Sequence, residues 1–591
     1  MLAALLASSA PGQVTQRVSV DSTGVQANED SWEPRISDNG RFIVFSTEAS
    51  NLVPNDSNGA WDVLIRDRQT GQTRLASVDA NGVQGDSDSY QPSITPDGRF
   101  ISFCSVATNL VPGDTNDFQD VFVRGRLSGA VEIASVASNG VQANDHSFGG
   151  CITPDGRYVS FYSFATNLVP GDTNDALDVF VHDRLTGSTE RVSLGAQAAQ
   201  GNCHSDNYPG TGSISDDGRF VSFASCADNL VPGDTNQRWD AFVRDRQLGI
   251  TERVDVASNG AEADGHVDQL VLSADGRFVA FSSHATSLVP NDVNGMPDIF
   301  VRDRTAATTE RVNLSSTGTQ ADAASSDPSI SADGRFVVFE SAATNLAPGD
   351  SNAAPDIFLH DRQAGTTTIV SLAFDGRQGA QRSQSPSISR TGRYVTFGTS
   401  SPELVPADTN VRRDIFVRDR TGGPAFVELC DAGTGGVIAC PCGNPPNATG
   451  RGCDNSAGTG GAVLFATGGT FLSSDSLVLH TRNQMPATLS VLSQWTAANS
   501  SGAVFGMGVR CAAGHVERLY TQLSSAGGIR VPDFAAGDEQ VSVRSAARGD
   551  LILAGQSRWY VVYYRDPNVF GGCSVSGQFN ATQTGQVWWS P

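Results

Sequence analysis

A motif ending in Gly-Arg-Phe/Tyr recurs along most of the chain at an almost constant interval, and this period restricts the fold more than any other feature. Its glycine stands 58 residues from the next one, with a single step of 62, at Gly40, Gly98, Gly156, Gly218, Gly276, Gly334 and Gly392. Such an interval predicts a repeat protein whose units share one core. The 591-residue length therefore does not indicate four ordinary domains.

Each repeat contains four short apolar runs separated by turn residues. In the second repeat, Asp97-Gly98 separates the runs at residues 92–95 and 100–103, and Asp-Gly in this setting is a strong hairpin signal. A second hairpin is expected at the Asp-Arg-x-x-Gly stretch, which begins at Asp183 in the third repeat. Seven units of four antiparallel strands predict an all-β fold, a seven-bladed β-propeller.

The two ends of the repeat array predict how the propeller closes. Residues 16–20 read as a fourth strand ahead of the first copy, whereas the last copy stops after residues 414–420 without one. We expect the N-terminal strand to complete the seventh blade, which removes an exposed sheet edge.

The rest of the chain divides around this array. The period disappears at about residue 424, and the Gly-, Ser- and Ala-rich tail with its β-type runs predicts a disulfide-stapled β-sandwich. We predict a segment resembling a truncated signal peptide at residues 1–15, the propeller at 16–423 and a Cys-containing β-sandwich domain at 424–591.

The repeat itself is similar to that of a known family. The element Ser/Thr-x-Asp-Gly-Arg-Phe/Tyr, followed by Asp-(Ile/Val)-Phe-Val-x-Asp-Arg, resembles the TolB-like, WD40-like (PD40-type) propeller repeat over residues 16–420. The resemblance implies an exported bacterial propeller, but in that family the motif marks the blade and not a reaction. TolB-type propellers have six blades, so their partners are not carried over to this seven-bladed chain. The Cys-rich tail resembles C-terminal modules of large exported bacterial proteins without an assigned activity.

Composition and topology limit the partners. The formal net charge is -23, and all 40 basic residues are arginine, so an acidic surface argues against nucleic acid as a partner. No run approaches the ~20 apolar residues that span a bilayer, which argues against membrane insertion. The loops after strands two and four share one face, and they are long and Asp-rich. We expect a non-catalytic binding scaffold that presents this loop-rich face or the channel to a protein, peptide or glycan.

The alternative function is a propeller-borne hydrolase or lyase that acts on an extracellular polymer. The tail contains no G-x-S-x-G motif, which argues against a serine peptidase. An enzyme predicts an asymmetric pocket with clustered histidines and carboxylates. A scaffold predicts near-sevenfold symmetry without such a cluster.

The sharpest chemical pattern is Asp-x-Asn-x-x-x-Asp, which occurs in every repeat. Its oxygen ligands suit a structural Ca²⁺ ion. The pattern also suits an Asx-turn that caps its own backbone, and the missing EF-hand Gly and Glu favour the turn, which needs no cofactor. The candidate metal residues are Asp114, Asn116, Asp120, Asp172, Asn174, Asp178, Asp234, Asn236 and Asp240.

Two other repeated positions carry charge. The Gly-Arg arginines are predicted to pair with the acids that end strand three, such as Arg157 with Asp183, although a ring of arginines could instead bind an anion. Periodicity favours pairing, and Gly125 removes the acid from the second blade. His146, His204 and His266 lie in similar loops and offer a metal site, but they lack ligand-type spacing.

The even number of cysteines indicates disulfides and export to a periplasmic, cell-surface or extracellular location. We predict the pairs Cys104–Cys151 and Cys203–Cys226 within the propeller. Fifteen connectivities remain open for the other six, which are Cys430, Cys440, Cys442, Cys453, Cys511 and Cys573.

Overall fold

A computed structural model shows two compact units. One comprises residues 17–418, and the other comprises residues 1–16 together with residues 419–591. The structure describes residues 14–206, 214–373, 376–405, 408–420, 427–428, 440, 453, 462–467, 477–482, 484, 487–505, 508–525, 528–553, 556–566, 579–582 and 584–588.

Seven four-stranded antiparallel sheets form the blades, so the predicted seven-bladed propeller is confirmed. The N-terminal strand and blades one to three are β1 (Val14–Arg17); β2 (Ser31–Ile36), β3 (Phe42–Thr47), β4 (Asp62–Asp67), β5 (Gln72–Leu75); β6 (Ser89–Ile94), β7 (Phe100–Ser105), β8 (Asp120–Gly125), β9 (Val131–Ile133); β10 (Ser147–Ile152), β11 (Tyr158–Ser163), β12 (Asp178–Asp183) and β13 (Ser188–Arg191).

Blades four to seven repeat the same order of strands. They are β14 (Ser205–Asp206), β15 (Phe220–Ser225), β16 (Asp240–Asp245), β17 (Ile250–Arg253); β18 (Val267–Leu272), β19 (Phe278–Ser283), β20 (Asp298–Asp303), β21 (Thr308–Arg311); β22 (Ser325–Ile330), β23 (Phe336–Ser341), β24 (Asp356–Asp361), β25 (Thr366–Ile369); β26 (Ser383–Ile388), β27 (Tyr394–Thr399) and β28 (Asp414–Asp419). A short 3-10 helix at Ala196–Ala198 precedes blade four.

The repeated glycine is required by both the turn and the packing of neighbouring blades. Gly98 has φ 71°, and a Cβ added there would lie 2.4 Å from the Phe42 ring of the preceding blade. Within blade two, Phe103 of β7 lies opposite Phe122 of the neighbouring strand β8, with ring centroids 5.8 Å apart. The Gly-Arg-Phe motif therefore encodes both the hairpin and the contact between blades.

The seventh blade closes as the sequence predicts. Strand β1 pairs with β28, in the sheet order β1-β28-β27-β26. Val18 N–H donates to Ile415 O at 2.7 Å, and Arg17 forms an ion pair with Asp414 at 3.3 Å. The first strand thus covers the open edge of the last blade.

The second unit contains two sheets and a short helix. A three-stranded sheet has the order β30-β31-β34, and a six-stranded sheet has the order β29-β37-β35-β32-β33, with β36 beside β35. The elements are β29 (Val427–Glu428), β30 (Val463–Thr467), β31 (Val478–Arg482), β32 (Leu489–Phe505), β33 (Gly508–Leu523), β34 (Arg530–Val531), α1 (Val541–Ala547), β35 (Ser557–Arg565), β36 (Phe579–Ala581) and β37 (Gly585–Trp588). Leu464 and Leu479 of the small sheet share a core with Leu492 and Tyr560 of the large one, which makes a β-sandwich.

Two disulfides are present among the described cysteines. One is the predicted Cys203–Cys226 pair, and the other, Cys440–Cys453, lies in the second unit. Disulfides of this kind fit an oxidising compartment. Cys430, Cys442 and Cys573 lie outside the described residues, as does the side chain of Cys511.

The predicted Cys104–Cys151 disulfide is wrong, because both cysteines are free and buried. A β-bulge between Gly149 and Cys151 shifts the register of β10. Cys151 consequently packs in the core between blades three and four, whereas Cys104 packs between blades two and three, where its Sγ donates to Gly149 O at 2.9 Å. The two thiols thus lie on opposite faces of blade three.

In the part of the chain that the structure describes, no helix is long and apolar enough to cross a membrane.

Candidate functional site

The Asp-x-Asn-x-x-x-Asp pattern forms the turn that leads into strand three of each blade. In blade two, Asn116 Oδ1 accepts the Phe118 N–H at 3.1 Å, while Asn116 Nδ2 donates to Ala143 O at 3.0 Å and to Asp120 Oδ2 at 2.8 Å. Asn174 and Asn236 make the equivalent contacts in blades three and four. The asparagines therefore cap backbone groups and hold the last carboxylate.

An arginine on strand four bridges the two carboxylates of the pattern in four blades. Arg191 Nη1 lies 3.1 Å from both Asp172 and Asp178, and the three side chains are 7%, 2% and 0% exposed. The same bridge recurs in blades four, five and seven, through Arg253, Arg311 and Arg17. In these blades a guanidinium lies between the two carboxylates that the calcium hypothesis assigns as ligands.

Blades one, two and six carry an aliphatic residue at this strand-four position, namely Leu75, Ile133 and Ile369. Burial raises the pKa of Asp120 to about 6 in blade two, even though hydrogen bonds from Ser135 and Asn116 lower it. Burial has the same effect on Asp62 and Asp356 in the other two blades. These carboxylates are held by hydroxyl and amide donors.

Blade four gathers extra acids around its arginine. Asp234, Asp240 and Glu262 form the one group of three potential metal ligands among the described residues, but Arg253 Nη1 lies 3.4, 3.3 and 2.5 Å from them. Asp255 is fully buried beside Asp240, and burial together with the Asp240 charge raises its pKa well above the usual range. The arrangement is an acid cluster with a single arginine at its centre, whose one positive charge offsets only part of the acidic charge.

The Gly-Arg arginines pair with the acids of strand three in their own blade, as predicted. Arg157 lies 2.7 Å from Asp183 and lowers the pKa of that carboxyl to about 2. Four further blades contain this bidentate pair, formed by Arg41–Asp67, Arg219–Asp245, Arg277–Asp303 and Arg335–Asp361. Blade two lacks the acid, and Arg99 pairs with Asp97 instead. These arginines are therefore engaged in structural pairs.

Side chains close the central channel at the hairpin face. Arg390 of blade seven forms ion pairs with Asp216 of blade four and, at 3.4 Å, with Asp38 of blade one. Backbone hydrogen bonds link successive blades at the same level, such as Ala332 N–H to Arg390 O at 2.9 Å. The cavity along the channel holds only about 150 Å³.

The three histidines of the sequence hypothesis do not form a metal site. Each accepts a backbone N–H through Nδ1: Gln119 N–H for His146, Leu177 N–H for His204 and Trp239 N–H for His266, at 3.0 to 3.1 Å. Asp88 makes the same contact with Trp61 N–H in blade one. The histidines therefore take the place of this aspartate cap at three successive junctions, those after blades two, three and four.

A cleft of about 730 Å³ lies between blades four and five on the loop-rich face. The side chains that line it include Arg238, Trp239, Asp264, His266, Asp268 and His284. His284 Nε2 lies 3.0 Å from Asp268 Oδ2 at the exposed rim. The cleft thus combines an aromatic side chain, two histidines and carboxylates.

The two blades that border this cleft carry no aromatic residue at the second position of strand one. At that position blades one to three carry Trp32, Tyr90 and Phe148, blades four and five carry Asp206 and Asp268, and blades six and seven carry Ser326 and Gln384. In blade one, Trp32 contacts Trp61 with ring centroids 6.3 Å apart. Trp239, which corresponds to Trp61, lines the cleft. Sequence reasoning missed it, although aligning the seven repeats against one another shows that the aromatic residue is confined to blades one to three.

Comparisons with known proteins were made on both sequence and structure. No protein-family model and no curated protein sequence matches the chain. Similar solved structures include TolB from Acinetobacter baumannii, with 15% identity and a TM-score of 0.30, covering 52% of this chain and 58% of that one. Putative TolB from Agrobacterium tumefaciens has 15% identity and a TM-score of 0.33, covering 61% and 97%. An oligogalacturonate lyase in complex with manganese has 11% identity and a TM-score of 0.42, covering 70% and 98%.

Proposed function

We propose that this protein is an exported binding module that takes an extracellular ligand into the cleft between blades four and five. The observation that carries the proposal is the cleft itself, which is lined by an aromatic side chain, two histidines and carboxylates. Elsewhere the repeated charged residues are engaged in pairs within or between blades, as Arg157–Asp183 and Arg184–Glu132 show. A concave site with an aromatic wall and a few polar groups is typical of ligand recognition.

The chemistry of the cleft favours a small or extended ligand with both apolar and polar groups. Trp239 offers an amphipathic aromatic surface, and it is anchored because it also packs against the core of blades four and five. Arg238, Asp268 and His284 are exposed and supply donors and acceptors at the rim. A rigid scaffold that carries polar groups on its loops suits a glycan, peptide or protein ligand.

The test is a binding screen of the full chain against glycans and peptides, repeated with the variant Trp239→Leu. Leucine is the residue that blade three carries at this position, Leu177, so the substitution preserves the repeat. The control is Trp61→Leu, which changes the corresponding tryptophan of blade one. We expect binding to weaken at least tenfold only in Trp239→Leu, since a truncated aromatic anchor costs about 2 kcal/mol or more. Equal affinities for the two variants would reject the cleft as the binding site.

A second candidate function rests on His284 and Asp268. An imidazole oriented by a carboxylate at the edge of a cleft is an arrangement that general bases use. This asymmetric grouping is the feature that separates the hydrolase or lyase alternative from a symmetric scaffold. Product formation from extracellular polysaccharides and peptides, measured for the wild type and for His284→Gln, tests it. Turnover that disappears in His284→Gln while binding persists would establish the enzyme, and ligands bound without turnover would reject it.

A further inference from the structure

Two hydrogen-bond donors converge at one end of the cleft. Trp239 N–H donates to His266 Nδ1 at 3.1 Å, so a neutral His266 ring carries its proton on Nε2. That Nε2 lies 3.0 Å from Arg238 Nη1, and a guanidinium has only donors. Neither group can accept from the other. A ligand oxygen with lone pairs directed at both would satisfy them.

The other repeats show that this arrangement is specific to blade four. His146 makes the same backbone contact, but it faces the Phe118 ring, with centroids 5.1 Å apart. Arg412 stands in blade seven where Arg238 stands in blade four, yet it pairs with Glu29 at 3.0 Å. Among the residues that the structure describes, no carboxylate forms an ion pair with Arg238. The two donors therefore face the cleft without a protein acceptor between them among the described residues, and a ligand oxygen could take that position.

The remaining lining of the cleft defines that ligand further. Asp268 also lines the cleft and can accept hydrogen bonds, and Trp239 contributes an aromatic surface to the lining. Asp264 is already bonded to Thr286 and Ser287. A ligand that fits these groups carries one acidic group, several hydroxyl donors and an apolar ring face.

We propose that the cleft binds a uronic acid unit of an oligosaccharide. Its carboxylate accepts from Arg238 Nη1 and His266 Nε2–H in charge-assisted hydrogen bonds, its ring lies against Trp239, and its hydroxyls donate to Asp268. An acidic peptide fits less well, because its glutamate or aspartate units offer neither an apolar ring face for Trp239 nor hydroxyl donors for Asp268. This inference rests on the proposed function and names its ligand class.

Calorimetric titration of the full chain tests the inference. The ligands are trisaccharides of mannuronic acid and of galacturonic acid, their neutral counterparts mannotriose and galactotriose, and acetylated triglutamate. We expect at least one uronate to bind at least about tenfold more tightly than its neutral counterpart, because a charge-assisted contact is lost from the neutral sugar. The titration is repeated at a higher salt concentration, where the affinity for the uronate should be lower because salt screens the charge-assisted contact.

Two variants remove the donors and retain the fold. His266→Asp reproduces the Asp88 cap of blade one, and Arg238→Ala reproduces Ala60 of the same blade. Each should weaken uronate binding at least about tenfold. The matched controls His146→Asp and Arg412→Ala change equivalent positions outside the cleft, and affinity should stay within about twofold of the wild type.

The outcomes separate this inference from the proposed function. Equal affinity for uronate and neutral sugars, no effect of Arg238→Ala and His266→Asp, or tighter binding of triglutamate would overturn the inference. If a neutral sugar or a peptide binds and Trp239→Leu abolishes the binding, the cleft function survives without the uronate. If none of the five ligands binds the wild type, the uronate inference is refuted, and the proposed function then depends on the wider screen.

Discussion

Replacing Arg191 by isoleucine should destabilise the propeller by an amount that depends on pH. Arg191 bridges two carboxylates that are almost completely excluded from solvent, at 3.1 Å from each. Isoleucine is the residue found at this position in blades two and six, as Ile133 and Ile369, so the fold accepts it. The substitution therefore removes the charge bridge and keeps the strand.

The magnitude follows from blade two, which shows the carboxylates without an arginine. There burial raises the pKa of Asp120 from 3.8 to about 6. A shift of about two units corresponds to about 3 kcal/mol, which agrees with the usual cost of about 3 to 5 kcal/mol for removing one partner of a buried ion pair. In the wild type, burial likewise raises the pKa of Asp178, and Arg191 opposes the shift.

The sign of the pH dependence is fixed by the direction of that shift. A carboxyl whose pKa is raised in the folded state binds its proton more tightly there than in the unfolded chain. The penalty is therefore complete above about pH 6 and disappears as the pH falls towards 4. Because the pKa of Asp178 is already raised in the wild type, about 3 kcal/mol is the largest loss expected. We expect Arg191→Ile to be less stable than the wild type by up to about 3 kcal/mol at pH 8 and by much less at pH 4.

Urea unfolding at pH 4 and pH 8, followed by circular dichroism, measures the difference. The control is Arg99→Ala, which removes an arginine whose side chain is 50% exposed and whose partner Asp97 is 44% exposed. Such a surface pair contributes at most about 1 kcal/mol, with little change between the two conditions. A loss for Arg191→Ile that is below about 1 kcal/mol at pH 8, or that is equal at both pH values, would refute the reasoning.

Three further predictions concern the cysteines and the acidic turns. The double variant Cys203→Ser/Cys226→Ser removes a disulfide that closes a loop of sequence separation 23, and this should lower the free energy of unfolding by about 3 kcal/mol. An unchanged midpoint of urea unfolding would contradict this prediction. Burial raises the pKa of the Cys104 thiol, so iodoacetamide should label Cys104 only after unfolding. Mass spectrometry of the peptide that contains Cys104 measures the labelling. Labelling of the native chain would place this thiol at the surface. The melting midpoint should be the same in chelator and in millimolar Ca²⁺, because asparagine amides and arginines already hold the turn carboxylates, and a higher midpoint in Ca²⁺ would favour the ion.

Sequence reasoning succeeds here where a feature is local and repeated. The hairpin at Gly98 and the pairing of Arg157 with Asp183 are confirmed, because the turn chemistry and the charge recur with the 58-residue period. The Cys104–Cys151 pairing fails, since one inserted residue in a β-bulge moves Cys151 to the other face of its blade. No spacing rule reports such a bulge.

The candidate site was harder to predict for the opposite reason. It consists of residues at positions that vary from blade to blade, such as Asp268, and no single one of them indicates a site. Only the three-dimensional arrangement places Arg238 beside the Nε2 atom of His266. The calcium hypothesis for the acidic turns remains a prediction for the chelation experiment.

Closure of the seventh blade has a consequence for the order of folding. Blades one to six are each made from one continuous stretch of chain, so they can form in sequence as the polypeptide emerges. The seventh blade needs Arg17 and Ser19 from the beginning of the array and Asp414 from its end. The N-terminal strand must therefore wait, unpaired, until nearly 400 further residues have been made, and an unpaired strand can pair with other chains. Because the propeller closes in a circle, its first strand to be synthesised is the last one to pair.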